Sequence, residues 1–114
     1  MTEEFHRLHV PLCAQGEEDL DYGRDTDTYR TLYLTEEECG KLEPLFDAYN
    51  AKFGIIIDYY EEETIPTKDV DTALAMATTA LEKSDDTTEQ HGLRKLIEAL
   101  QLAQKHSTFV LAEL

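Results

Sequence analysis

The chain has 114 residues, enough for one domain with one hydrophobic core, and apolar residues make up 41% of it. Asp and Glu number 25 against 10 Lys and Arg, a formal net charge of -15. That exceeds the magnitude of roughly 2–8 usual for a small soluble domain. It argues against a surface for nucleic acid or anionic membranes, both of which are held through Lys and Arg, and it favours basic proteins as partners. The start, Met1-Thr2-Glu3-Glu4, is acidic and lacks the apolar stretch of a signal peptide, so a cytoplasmic location is expected. Cys13 and Cys39 form no C-x-x-C unit and demand no disulfide.

In chain order, residues 5–13 (FHRLHVPLC) predict a strand with Leu8, Val10 and Leu12 on one face. Pro11 places that strand at an edge or ends it. Residues 14–28 hold Glu17, Glu18, Asp19, Asp21, Asp25 and Asp27, opposed only by Arg24. Their apolar content is thin, so an exposed acidic loop is expected. Residues 29–34 (YRTLYL) predict a short strand.

Thr35-Glu36-Glu37-Glu38 matches a capping box, with Leu34 and Cys39 placed as a hydrophobic staple. Leu42, Leu45, Phe46, Tyr49 and Phe53 continue at helical spacing. Pro44 should kink or divide that helix, and Gly54 should stop it. Ile55-Ile56-Ile57-Asp58-Tyr59-Tyr60 reads as a central strand buried on both faces, running out into Glu61-Glu62-Glu63.

Thr67 is the expected N-cap of a further helix with the narrow stripe Val70, Ala73, Leu74, Ala77 and Leu81. The polar turn 84–88 leads to a last helix. Leu93, Leu96, Ile97, Leu100 and Ala103 share one of its faces, and Lys95 and Lys105 should be exposed. The two helices should form an antiparallel hairpin. Residues 108–114 read as a final strand docked in the sheet. The expected fold is one α+β domain over residues 1–114: a small mixed sheet of about four strands with three helices on one face, in the order β-β-α-β-α-α-β.

No catalytic constellation stands out. His6 and His9 point to opposite faces of a strand, and no second ligand pair supports zinc. Counting back from Gly23, an EF-hand would need acids where Glu18, Leu20 and Tyr22 stand. There is no nucleophile elbow and no phosphate loop. The expectation is a binding protein rather than an enzyme, without metal or cofactor. Its candidate contact residues are Asp58, Tyr59, Tyr60, Glu61, Glu62 and Glu63, where tyrosines stand among carboxylates, together with Glu17, Glu18, Asp19, Asp21, Asp25 and Asp27.

The leading functional reading is an inhibitor or immunity-type protein that neutralises a basic, nuclease-type partner. A homo-oligomeric assembly protein, dimerising through the C-terminal or the first strand, is the second. A nucleic-acid mimic and a small regulator binding a metal or small molecule are further alternatives.

Overall fold

A computed structural model describes residues 6–114, so Met1–Glu4 and the expected strand residue Phe5 lie outside the described residues. Strand β1 (His6–Pro11) is followed by helix α1 (Ala14–Asp21), strand β2 (Tyr29–Leu34) and helices α2 (Glu36–Lys41) and α3 (Glu43–Phe53). Strand β3 (Glu62–Ile65), helices α4 (Val70–Lys83) and α5 (Thr87–His106), and strand β4 (Val110–Glu113) complete the chain. The strands form one sheet in the order β2-β1-β4-β3, antiparallel at every pairing. The fold is thus α+β, with β1 and β4 inside and β2 and β3 at the edges.

Pro11 ends β1, and its missing N–H is harmless for a geometric reason. Leu12 donates to Thr28, so residue 12 faces β2 and its neighbour Pro11 faces the other way. On that side β4 has already ended, because its pairing with β1 stops at His9 opposite Leu111.

One face of the sheet carries the core. Leu8 and Val10, Leu34, Ile65, and Val110 and Ala112 meet the predicted stripe of α5, where Leu93, Leu96, Leu100 and Ala103 are buried. Helix α4 contributes Val70, Ala73 and Ala77, and the α2–α3 pair contributes Cys39, Leu42, Phe46 and Tyr49. The Tyr49 hydroxyl donates to the Ala73 carbonyl at 2.6 Å, tying α3 to α4. Burial leaves that phenol nothing to gain from ionising, and its pKa is raised.

The capping box forms as the sequence predicts. The Glu38 amide donates to Thr35 Oγ1 at 3.1 Å, and Glu38 Oε1 accepts from the Thr35 amide at 2.8 Å. Leu34 and Cys39 beside it are fully buried. Lys95, expected to be exposed, instead reaches Glu38 Oε1 at 2.7 Å, so the cap is also a joint between α2 and α5. The joint is close because residue 92 is glycine: a Cβ there would stand 3.3 Å from the Glu38 Cβ. Pro44 divides the helix into α2 and α3 and falls in the first turn of α3, where no N–H is needed. Gly54 stops α3 at φ 68°.

Three expectations are corrected. First, residues 14–28 are not an open loop throughout, because α1 occupies 14–21. Gly16 permits it: a Cβ there would lie 2.0 Å from the Thr28 carbonyl oxygen. Helix α1 also lies over the sheet face opposite α2–α5, so the helices do not all share one face.

Second, residues 55–60 form no strand, and the third strand is the edge segment Glu62–Ile65. The Asn50 side chain takes both backbone groups of Ile57, donating to its carbonyl at 3.1 Å and accepting from its amide at 2.7 Å. The Ile56 amide donates to Glu63 Oε2 at 2.9 Å. Only Ile57 of the three isoleucines is buried. Tyr60, at φ 65°, turns the chain into β3, and β4 takes the central place.

Third, Thr67 caps nothing with its side chain; it opens a single 3-10 turn, Thr67–Asp69, ahead of α4.

Replacing Thr35 by Ala should lower stability by about 1 kcal/mol through loss of the cap. Urea unfolding checks this, and an unchanged midpoint would show that α2 does not depend on the box.

Candidate functional site

The alternation that buries Leu8 and Val10 turns Arg7 and His9 to the opposite face of the sheet. There they join Tyr29, Thr31 and Tyr33 of β2, Leu111 and Glu113 of β4, and Glu62 and Thr64 of β3. Register aligns four of these in one row across the sheet: Tyr33, Arg7, Glu113, Glu62.

Helix α1 forms a wall over this face, and one carboxylate holds it. Asp19 is 3% exposed although it was expected among exposed acids. It accepts from Thr28 Oγ1 at 2.6 Å, Gln15 Nε2 at 2.9 Å, Thr26 Oγ1 at 3.1 Å and Arg24 Nη1 at 3.1 Å. The Arg24 amide returns to the Asp19 carbonyl at 2.8 Å. These donors, Thr28 foremost, hold the Asp19 carboxyl well below the usual range, at about 2, against the effect of burial.

Between this wall and the sheet lie two hollows. The first, of about 580 Å³, is rimmed by Glu17, Glu18 and Asp21 of α1 and by Glu62, Glu63 and Glu113, with Leu20, Thr64, Phe109 and Leu111 completing its lining. The second, of about 460 Å³, contains Arg7, His9, Tyr29, Thr31, Tyr33, Asp25 and Thr26. Leu20 and Glu113 line both and form the divide.

Glu113 is the electrostatic pivot. Its Oε1 receives Arg7 Nη1 at 2.6 Å, and His9 Nε2 stands 3.6 Å from the same oxygen. His9 Nδ1 lies 2.8 Å from Thr31 Oγ1, and burial lowers the pKa of the imidazole. Glu62 stands opposite Glu113 in register. Arg7 keeps Glu113 charged and lowers its pKa, while hydrogen bonding to Glu113 raises that of Glu62. Two carboxylates stand side by side with one cation, Arg7, on the far side of Glu113 from Glu62, so the side facing the first hollow is acidic.

The two acidic segments singled out in the sequence therefore converge in part. Glu17, Glu18, Asp21, Glu62 and Glu63 share one hollow. Glu63, however, has a structural task, since its carboxylate holds the Ile56 and Thr64 amides. Asp19 is internal, Asp25 lies in the second hollow, and Asp27 is exposed but lines neither. Asp58 and Tyr59 line a separate recess of about 190 Å³ with Cys39, Glu43 and Leu114. The Tyr59 ring meets His6 edge-on at 5.5 Å, so Tyr59 is a packing residue. Burial pushes the Cys39 thiol up to about 11, far from nucleophilic thiolate character. Tyr60 is 91% exposed and Glu61 is also exposed, both away from the hollow.

Sequence reasoning missed Glu113, Leu111 and Phe109. The usable signal was parity: if Val110 and Ala112 face the core, Leu111 and Glu113 face the other way.

Both cysteines are free thiols, Cys13 exposed and Cys39 buried. Among the described residues no group of three His, Cys, Asp or Glu is placed to hold a metal ion, and no helix is long and apolar enough to cross a membrane. No protein-family model, no curated protein and no solved structure matches the chain.

A carboxylate whose pKa is lowered by folding adds stability above its unfolded value, about 4 for Asp, and loses it as pH falls through the folded value. Asp19→Asn should therefore flatten the loss of stability between that value and about 2. It should also raise amide hydrogen exchange over residues 14–28. Chemical unfolding across acid pH, with exchange measured at neutral pH, checks both, and a parallel acid profile in the variant would assign the loss to other groups.

Proposed function

We propose that this protein binds a basic segment of another protein in the hollow between α1 and the sheet, acting as an inhibitor or immunity-type protein in the cytoplasm. The observation that carries the reading is the convergence of Glu17, Glu18 and Asp21 from α1 with Glu62 and Glu113 from the sheet around the apolar residues Leu20, Phe109 and Leu111. The apolar floor offers area for the stem of an Arg or Lys side chain, and the rim offers carboxylates to its head. Carboxylates on a concave surface raise the local concentration of a cationic partner and speed its docking. A basic nuclease suits this chemistry because its own phosphate-binding surface supplies the Arg and Lys that the rim would engage.

The substitution that tests this avoids Glu63, whose carboxylate holds backbone amides. The probe is a fluorescent peptide of alternating Arg and Leu. The fourfold variant Glu17→Gln, Glu18→Gln, Asp21→Asn, Glu62→Gln should bind it about tenfold or more weakly than the parent chain, with a shallower salt dependence. A control that neutralises as many acids elsewhere, Asp47→Asn, Asp58→Asn, Glu82→Gln and Glu98→Gln, should bind nearly as the parent does. Equal loss in both variants would reduce the interaction to bulk charge and sink the proposal for this hollow.

A further inference from the structure

His9 is a buried imidazole beside the Glu113 divide between the two hollows. Strand alternation turns it away from the core, and each of its ring nitrogens faces a different strand. Nδ1 lies 2.8 Å from Thr31 Oγ1 on β2, and Nε2 stands 3.6 Å from Glu113 Oε1 on β4. Register fixes both neighbours. His9 stands opposite Thr31 on one side and Leu111 on the other, and Glu113 is the same-face residue two further along β4.

The charged and titratable groups around the ring come from every strand of the sheet and from the loop after α1. Arg7 shares its face of β1, Tyr29 of β2 meets it edge-on at 6.1 Å, and Tyr33 lies further along β2. Glu113 faces it from β4, with Glu62 of β3 beyond. Asp25 of the loop lines the same hollow, to which α1 itself contributes Leu20. The acid that stands close to Nε2 is Glu113, and its carboxylate also lines the first hollow.

That sharing couples the two hollows. With the imidazole neutral, Arg7 is the cation on Glu113. A proton on His9 puts a second positive charge 3.6 Å from the same oxygen. Glu113 then attracts less strongly a guanidinium or ammonium arriving in the first hollow, and the imidazolium repels that cation as well. Burial holds the His9 pKa below its ordinary value of 6.5 against the opposing effect of Glu113, so the charge appears only on acidification.

We infer that protonation of His9 weakens the hold of the first hollow on a basic segment, so that acidification releases the partner. This rests on the reading of that hollow as the binding site and adds the group that regulates it. The effect is reciprocal by linkage: a bound cation makes His9 harder to protonate by the same factor.

The fluorescent Arg-Leu peptide is the probe, titrated at about pH 7.5 and about pH 5.5. The parent should bind it about threefold or more weakly at the lower pH. His9→Gln cannot take the charge and should lose most of that difference. His106→Gln, which removes an exposed imidazole, should follow the parent. Glu62, whose pKa is raised by hydrogen bonding to Glu113, adds an acid loss common to parent and His9→Gln, so the difference between them is the measure. An NMR titration of the His9 ring in the parent reads the same coupling without a substitution, and it decides the matter if His9→Gln fails to fold. Saturating peptide should lower the His9 midpoint by about the logarithm of the fold-change in affinity. Equal acid loss in parent and His9→Gln, or a His9 midpoint that the peptide leaves unmoved, would overturn the regulation and leave the binding site standing. A parent that binds no peptide at the higher pH would overturn both.

Discussion

The hollow beside α1 depends on the insertion of β4 between β1 and β3. Among the described residues strand β3 pairs with β4 alone, so without β4 it would lose its place in the sheet. The same strand supplies Ala112 and Val110 to the core and Leu111 and Glu113 to the opposite face. It is delivered by a sharp reversal at the end of α5, where Ser107 takes φ 52° and the Thr108 amide returns to the Ala103 carbonyl. The pairing spans nearly the whole chain, since Arg7 stands opposite Glu113. Such non-local closure is slow to find and is the step at which the sheet becomes one object.

The acidity of the chain divides into parts with different physical roles. Glu38 caps α2 and meets Lys95, Asp86 caps α5 by accepting from the Glu89 amide and meets Lys41, Asp19 organises the turn after α1, and Glu63 holds two amides. These carboxylates are occupied inside the fold. Glu17, Glu18, Asp21 and Glu62 are rim residues with no comparable task, apart from the contact of Glu18 with Arg24 at 3.4 Å. Glu62 opposite Glu113 is a like-charge pair across adjacent strands, an arrangement that works against the sheet. Arg7 offsets it from one side only. An approaching cation would relieve the remainder, which gives binding there a driving force beyond the contacts themselves.

Local signals in the sequence were read well where one residue type answers one backbone need. The Thr35 cap, the division at Pro44, the stop at Gly54 and the stripe of α5 are of that kind. The misreadings arise where a distant partner decides. Ile55-Ile56-Ile57 has the composition of a buried strand, but Asn50 takes the backbone of Ile57 and the central position goes to residues from the other end of the chain. Helix α1 buries only Gly16 and Asp19, so no apolar periodicity announced it. The site was half legible for the same reason. Clusters of acids could be seen along the chain, but their meeting with Glu113 required the sheet order, which local pattern does not encode.

The wall formed by α1 is held mainly by a carboxylate and its donors, whereas the rest of the molecule is held by apolar packing. That difference sets how each part loosens. Opening an element that exposes little apolar surface changes the heat capacity little, so its stability has no strong optimum in temperature, and denaturant acts on it weakly. The core follows the curved temperature dependence of buried hydrocarbon. The contacts that hold the wall are thus polar and gathered at Asp19, so losing them would loosen α1 at little cost in buried hydrocarbon, whereas the core would keep its apolar contacts.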